Sequence, residues 1–240
     1  MSTPLKFASV SKRYAQRDIL CGVDLSIAAG ETIGLLGVNG AGKSTLLKSM
    51  LDLTSIDGGH IEVFGRDHRK PAAREHLAYL AEQFVAPHYA TGSDFLRYVT
   101  RLHGITPTIA SVVEECRGLE LDADVLRHPA GQYSKGMMQK LGLIGCLLTR
   151  RPLFVLDEPM SGLDPQSRAL FKSRLGQLKD VGVTVLFSTN SLEDIAAVAD
   201  RVAVLNLGRI CFIGTADEFR GHYPAATLEQ SFLHCIGAAV

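Results

Sequence analysis

The 240-residue sequence predicts an α/β fold around a mostly parallel sheet, and three observations carry that prediction. Two unbroken apolar runs, "PLFVLDEP" (152–159) and "GVTVLFSTN" (182–190), have the texture of strands buried on both faces, as in a parallel sheet. Between them "PQSRALFKSRLGQLKDVG" places Leu170, Phe171, Leu175 and Leu178 at helical spacing and stops at Gly182. Upstream, the apolar "GETIGLLG" runs straight into a glycine-rich loop and a helix-like "TLLKSMLDL". Strand and helix therefore alternate along the chain.

The remaining elements follow in order. "LKFASV", "VDLSIAAGETIGLLG", "GHIEVFG" and "HLAYLAEQ" read as strands from their β-branched and aliphatic residues bounded by glycine. From about residue 84 to 150 the texture turns helical. There "SDFLRYVTRLHG" has Ser93 as the expected N-cap and Gly104 as the stop, and the stretch reads as an inserted helical subdomain. "RVAVLNLGRICFIG" returns to strand, and "ATLEQSFLHCIG", in a C-terminal helix over about 226–237, puts Leu228, Phe232, Leu233 and Ile236 on one face docked against the body. No internal repeat or separate linker interrupts residues 1–240, so one domain is expected.

Composition narrows the function classes. Lys plus Arg and Asp plus Glu both number 25, so no net basic field attracts nucleic acid or an anionic membrane surface. The five cysteines (Cys21, Cys116, Cys146, Cys211, Cys235) form no C-x-x-C pair or zinc spacing, and an odd count excludes a complete disulfide framework within the chain. "MSTPLKFASVSKRYAQRD" lacks an apolar leader core, and no run approaches the roughly 18 apolar residues of a membrane span. A cytosolic chain is expected.

The chemistry is concentrated in "GLLGVNGAGKST". Gly37, Gly40, Gly42, Lys43 and Ser44 stand in G-x-x-x-x-G-K-[ST] spacing between strand and helix. Such glycines let successive N–H groups turn inward around phosphate oxygens at the positive end of the following helix. Lys43 is placed for the terminal phosphates and the Ser44 hydroxyl for Mg²⁺, with Asn39, Ala41 and Thr45 completing the loop. The competing reading is a glycine-rich turn with a surface lysine, and the pattern arises by chance about once per hundred chains of this length. A second signal is the carboxylate pair ending "LFVLDEP". Asp157 suits Mg²⁺ held through its water shell, and Glu158 suits a base for the water attacking a γ-phosphate.

With these two motifs the chain resembles the ATP-binding cassette (ABC) ATPases, the nucleotide-binding subunits of ABC transporters, from about Leu5 to Gly237. The resemblance implies an N-terminal antiparallel β subdomain beside the parallel core, with ATP and Mg²⁺ as ligands. It implies that Gln83 in "YLAEQF" is the glutamine that reaches Mg²⁺ and the attacking water, and that Tyr14 in "VSKRYAQRDIL" stacks on adenine. "SGLD", ending at Asp164, is similar to a loop that crosses a dimer interface. "YSKGMMQKL" is similar to the family signature through Ser134 and Gly136, while Tyr133, Lys135 and Met137 depart from its commoner L-S-G-G-Q form. That variant resembles a branch rich in exporters.

Because the signature completes the opposite subunit's site in that family, the implied partners are a second cassette, the same or homologous, and a transmembrane permease. The implied location is the cytoplasmic face of the cell membrane, with no nucleic acid bound. One position is anomalous. The strand "VTVLFST" ends in two hydroxyls and then Asn190, where the family carries a histidine near the γ-phosphate. An amide donates a hydrogen bond but cannot become cationic. Asn190 therefore reads as a substituted switch residue that affects turnover, and the alternative is a turn residue capping the next helix.

Overall fold

The computed structural model describes residues 3–237. The chain opens with the hairpin β1 (Leu5–Tyr14) and β2 (Arg17–Ile27), crosses to β3 (Thr32–Leu36), and enters α1 (Lys43–Met50) after the glycine loop. Next come β4 (Gly58–Val63), β5 (Arg66–Asp67) and β6 (Leu77–Leu80). Three helices follow: α2 (Gly92–Leu102), α3 (Ile109–Gly118) and α4 (Lys135–Leu148). The chain then alternates through β7 (Leu153–Leu156), α5 (Pro165–Asp180), β8 (Thr184–Thr189) and α6 (Leu192–Val198). It closes with the hairpin β9 (Arg201–Asn206) and β10 (Arg209–Gly214), then α7 (Ala216–His222) and α8 (Leu228–Cys235).

Two sheets result. A four-stranded sheet has the order β2-β1-β4-β5, with antiparallel pairing throughout. A six-stranded sheet has the order β10-β9-β3-β8-β7-β6, parallel except for the edge pair β10-β9. The parallel strands look unalternated in sequence because both faces are covered. On β7, Leu153 and Val155 enter the core shared with the first sheet and α1, whereas Phe154 and Leu156 enter the core under the helices. β8 does the same with Leu186 on one side and Val185 and Phe187 on the other. On β3 the helical face is relieved at Gly34, where a Cβ would lie 2.6 Å from Ile195 Cγ1, so α6 lies close against the strand.

The helices 92–148 occupy the crossover from β6 to its neighbour β7. α2 begins two residues earlier than its sequence suggests. Its N-cap is Thr91, not Ser93, because Thr91 and Asp94 form a reciprocal capping box, and Ser93 is left inside the first turn. Gly104 follows the helix with φ +70°, the conformation that ends it. At the other end of the chain, Leu228, Phe232 and Ile236 of the α8 segment pack on the helical core; Leu233 is not among them. All five cysteines are free thiols. Among the described residues no helix is long and apolar enough to cross a membrane.

Candidate functional site

Parallel register brings three strand ends side by side. Leu36 of β3 is level with Thr189 of β8, and Leu156 of β7 is level with Phe187. The segments that leave these ends are the glycine loop, the Asp157–Glu158 pair and residues 188–190. This is the edge of a parallel sheet where ligands bind, outside the carboxyl ends of the strands.

The loop is shaped by close approach. A Cβ on Gly37 would sit 2.5 Å from the Leu205 carbonyl oxygen, and Gly40 (φ +82°) and Gly42 (φ +111°) adopt left-handed backbone. Lys43 is buried, and its ammonium donates to the Gly37 carbonyl at 2.7 Å and lies 3.3 Å from a Glu158 carboxylate oxygen. Glu158 itself is held at φ +47°, uncommon for a residue with a Cβ. Burial pushes its carboxyl above the ordinary carboxylate range; the Lys43 ammonium draws it back down, and the carboxylates of Asp157 and Glu82 push it up. The same field acts nearby, where burial and the carboxylates of Asp157 and Glu82 push the Tyr79 phenol up to about 12.

Ser188 ties this arrangement together. Its fully buried hydroxyl donates to Asp157 Oδ1 at 2.6 Å and accepts from the Glu158 N–H at 2.8 Å. Asp157 is itself buried.

A cavity of about 430 Å³ opens above the loop. It brings together Tyr14, Asn39, Gly40, Gly42, Lys43, Ser44, Thr45 and Glu158, which sequence reasoning had named, with Arg17, Ile19, Val38 and Glu82, which it had not. Tyr14 is half exposed. Its hydroxyl is 2.9 Å from Thr54 Oγ1, and Lys12 Nζ lies 5.1 Å from its ring centroid, so both an edge and a face are fixed. Ala41 is buried beneath the loop in the core.

Several named residues lie elsewhere. Gln83 is exposed in the turn after β6 and does not line the cavity; adjacent side chains leave a turn in different directions, and Glu82 takes the inward one. Asn190 is exposed just past β8, and it does not cap α6. Ser191 does, accepting from the Asp194 N–H at 3.3 Å, while Thr189 Oγ1 accepts from the Ser191 N–H. The polar tasks at this strand end thus belong to Ser188, Thr189 and Ser191.

Ser134 caps α4 by accepting from the Met137 N–H, and a Cβ on Gly136 would sit 3.1 Å from the Gly162 carbonyl oxygen. The 134–136 and 161–164 segments therefore adjoin. Asp164 caps α5, accepting from the N–H and hydroxyl of Ser167 at 2.9 and 2.6 Å, and these bonds hold its carboxyl below the ordinary range. Tyr133 donates to the Val125 carbonyl at 2.8 Å, a packing role inside the helical segment.

The donor set fits a hard divalent cation that arrives with phosphate. Ser44 and Glu158 line the cavity and the carboxylate of Asp157, the residue before Glu158, is buried against Ser188, while among the described residues no group of three or more His, Cys, Asp and Glu can hold a metal unaided. Mg²⁺ has that habit, binding through one or two protein oxygens with substrate phosphates and water.

Comparison with known proteins places these features. A family model described as "ABC transporter" matches residues 20–161. The daunorubicin resistance ATP-binding protein DrrA3 of Streptomyces coeruleorubidus is 36% identical over 222 residues, covering 91% of this chain and 70% of that protein. The sn-glycerol-3-phosphate import ATP-binding protein UgpC 1 of Rhizobium johnstonii is 30% identical over 235 residues, covering 96% and 63%. A solved ATP-binding subunit of an ABC transporter superposes with a TM-score of 0.88 at 28% identity, covering 97% of this chain and 99% of that one. The chain spans from 42% to 70% of the length of the curated relatives it matches.

Proposed function

The chain belongs to the ABC transporter family, and from that premise we propose that it is an ATP-hydrolysing subunit that closes on a second cassette and drives a separate membrane subunit. The observation that carries the reading is the Lys43–Glu158 pair within the cavity of the phosphate loop. Lys43 is held by two oxygens, one from Gly37 and one from Glu158. The phosphate oxygens of ATP take Nζ in their place, aided by inward N–H groups of the loop. Glu158 is thereby released, with its raised proton affinity, to accept a proton from the attacking water. Ser44 and Asp157 would hold Mg²⁺, which when bound neutralises charge on the transferred phosphoryl group.

Pairing with a second cassette is supported by what the cavity lacks. Its lining contains no residue of α2, α3 or α4, so Ser134 and Gly136 take no part in it. In a dimer they would face the partner's nucleotide, with the capped N-terminus of α4 offering N–H groups to its γ-phosphate. A membrane subunit would meet the loop after β6, where Pro87 and Tyr89 are exposed, Tyr89 at 89%. Phe84 belongs less to that surface, since it packs on Phe95 with ring centroids 5.1 Å apart. Export is the direction the drug-resistance relative favours, and the glycerol-3-phosphate import relative favours the opposite.

A second reading, a subunit that binds ATP without hydrolysing it, draws on Asn190, which offers an amide where a cation would help, and on the altered signature at Tyr133, Lys135 and Met137. Glu158→Gln decides between them. Light scattering with ATP and Mg²⁺ is expected to show a trapped dimer for the variant, with phosphate release from wild type only. Equal, negligible phosphate release by both proteins would sink the hydrolytic reading.

A further inference from the structure

The β1–β2 hairpin contributes two side chains, Tyr14 and Arg17, to the lining of the cavity that Lys43 also lines. Tyr14 and Arg17 are register partners flanking the two-residue tip, so they leave the same face with Cβ atoms about 5 Å apart. The next register pair, Arg13 and Asp18, faces the opposite side and lines a separate cavity, where the two side chains bond at 2.6 Å. The carboxylate adjacent to Arg17 in sequence is thus consumed elsewhere. Lys12, the other cation near Tyr14, is held by Ser55 and Asp57. Among the described residues Arg17 makes no ion pair or side-chain hydrogen bond, and it is exposed to the cavity.

The geometry points to Arg17 as a base-reading residue: beside a purine stacked on Tyr14, its guanidinium donates to the acceptor edge, so this side chain distinguishes purine from pyrimidine nucleotides. This inference rests on the nucleotide-binding reading above. The Tyr14 ring is fixed at its hydroxyl by Thr54 and at one face by Lys12, which leaves one face for a base. A base on that face presents its edge to the neighbouring strand, and a guanidinium on a three-carbon stem spans the separation. The chemistry then selects. Arginine has donors only. Guanine offers two acceptors, N7 and O6, for a bidentate contact; adenine offers N7 beside an amino donor, and the corresponding edge of cytosine presents an amino donor. A role on the phosphates is the weaker assignment, because Lys43, Ser44 and Thr45 already supply that function in the same cavity.

The test measures equilibrium binding of ATP, GTP and CTP, each with Mg²⁺, to the full chain and to Arg17→Ala and Lys43→Ala. Wild type is expected to bind ATP and GTP more tightly than CTP, and Arg17→Ala to weaken GTP about tenfold, ATP about threefold and CTP negligibly. Equal weakening of all three nucleotides, made steeper at low salt, would mean that Arg17 acts on the phosphates and would overturn the proposal. So would unchanged binding of all three. Lys43→Ala separates the two levels of inference: it should abolish binding of every nucleotide. If it does so while Arg17→Ala is silent, only the base-reading role falls. If wild type binds none, both inferences fail.

Discussion

Removing the Ser188 hydroxyl should damage stability and catalysis together. In Ser188→Ala, Asp157 loses a donor at 2.6 Å and the Glu158 N–H loses its acceptor at 2.8 Å, in a place with no solvent to replace either. A hydrogen bond to a charged group contributes about 1.5–3 kcal/mol, and an orphaned buried donor costs about 1–3 kcal/mol. Because one hydroxyl serves both partners the two do not add fully, and about 3 kcal/mol is the expected loss. For a chain of this size that lowers Tm by about 6–12 °C. Glu158 also sits in left-handed backbone that the Ser188 bond helps to hold, so its carboxylate should shift. A displacement near 1 Å lowers kcat/KM by about a hundredfold. Binding of ATP through Lys43 should stay within about threefold of wild type. Scanning calorimetry and steady-state phosphate release measure the two effects. If Tm falls by less than about 2 °C and turnover is unchanged, Ser188 is not what organises the carboxylate pair.

Three further outcomes follow from the site. Because the Glu158 carboxyl is raised, it takes up its proton at a higher pH than a free glutamate, so the acid limb of kcat/KM should lie above the ordinary value of about 4.3; a pH profile flat down to about pH 4.5 contradicts this. Gly34→Ala forces a methyl to within 2.6 Å of Ile195 and should cost about 1–3 kcal/mol in urea unfolding without altering ATP affinity; wild-type stability would show that α6 yields easily. If Asn190 is a substituted switch residue, as the resemblance implies, Asn190→His should raise the maximal ATPase rate by a few-fold, up to about tenfold, by supplying a positive charge to the γ-phosphate. Asn190→Ala should change the rate little, and a nearly inactive alanine variant would mean that the amide is itself catalytic.

Much of this was legible in the sequence, for physical reasons that differ by element. Strands β7 and β8 read plainly because two-sided burial leaves Leu153–Leu156 and Val185–Phe187 apolar without alternation. The glycine loop was legible because positive φ at Gly40 and Gly42 and the contact at Gly37 demand one residue type. At the end of β8 the pattern did not reveal that the buried hydrogen bonds are made by Ser188, two positions before Asn190. The pattern shows hydroxyls followed by an asparagine, and the asparagine looks the stranger. Yet the face a strand residue takes is set by alternation against neighbours, and that puts Ser188 on the same face as Leu186, beside Asp157. Arg17 was missed for a similar reason: its place opposite Tyr14 depends on where the hairpin turns, and "YAQRD" has no glycine to mark it. Glu82 differs from Gln83 only in the direction its side chain leaves a turn, which depends on backbone geometry that the pattern does not encode.

The placement of the helices between β6 and β7 bears on how the chain assembles. These strands are hydrogen-bonded neighbours, yet about 70 residues separate Leu80 from Leu153, and closing such a loop costs roughly 2 kcal/mol more than closing one of about eight. That penalty shrinks once α2, α3 and α4 have condensed on one another, because their collapse already draws the two ends together. The contacts among these helices close shorter loops than the β6–β7 pairing does and should form before it. Pulse-labelled hydrogen exchange should therefore find the α4 amides protected before those of β7, and simultaneous protection would argue against the order. The Asp157–Glu158 pair, carried at the end of β7, would be among the last parts of the site to reach its place, only after the insertion has gathered itself.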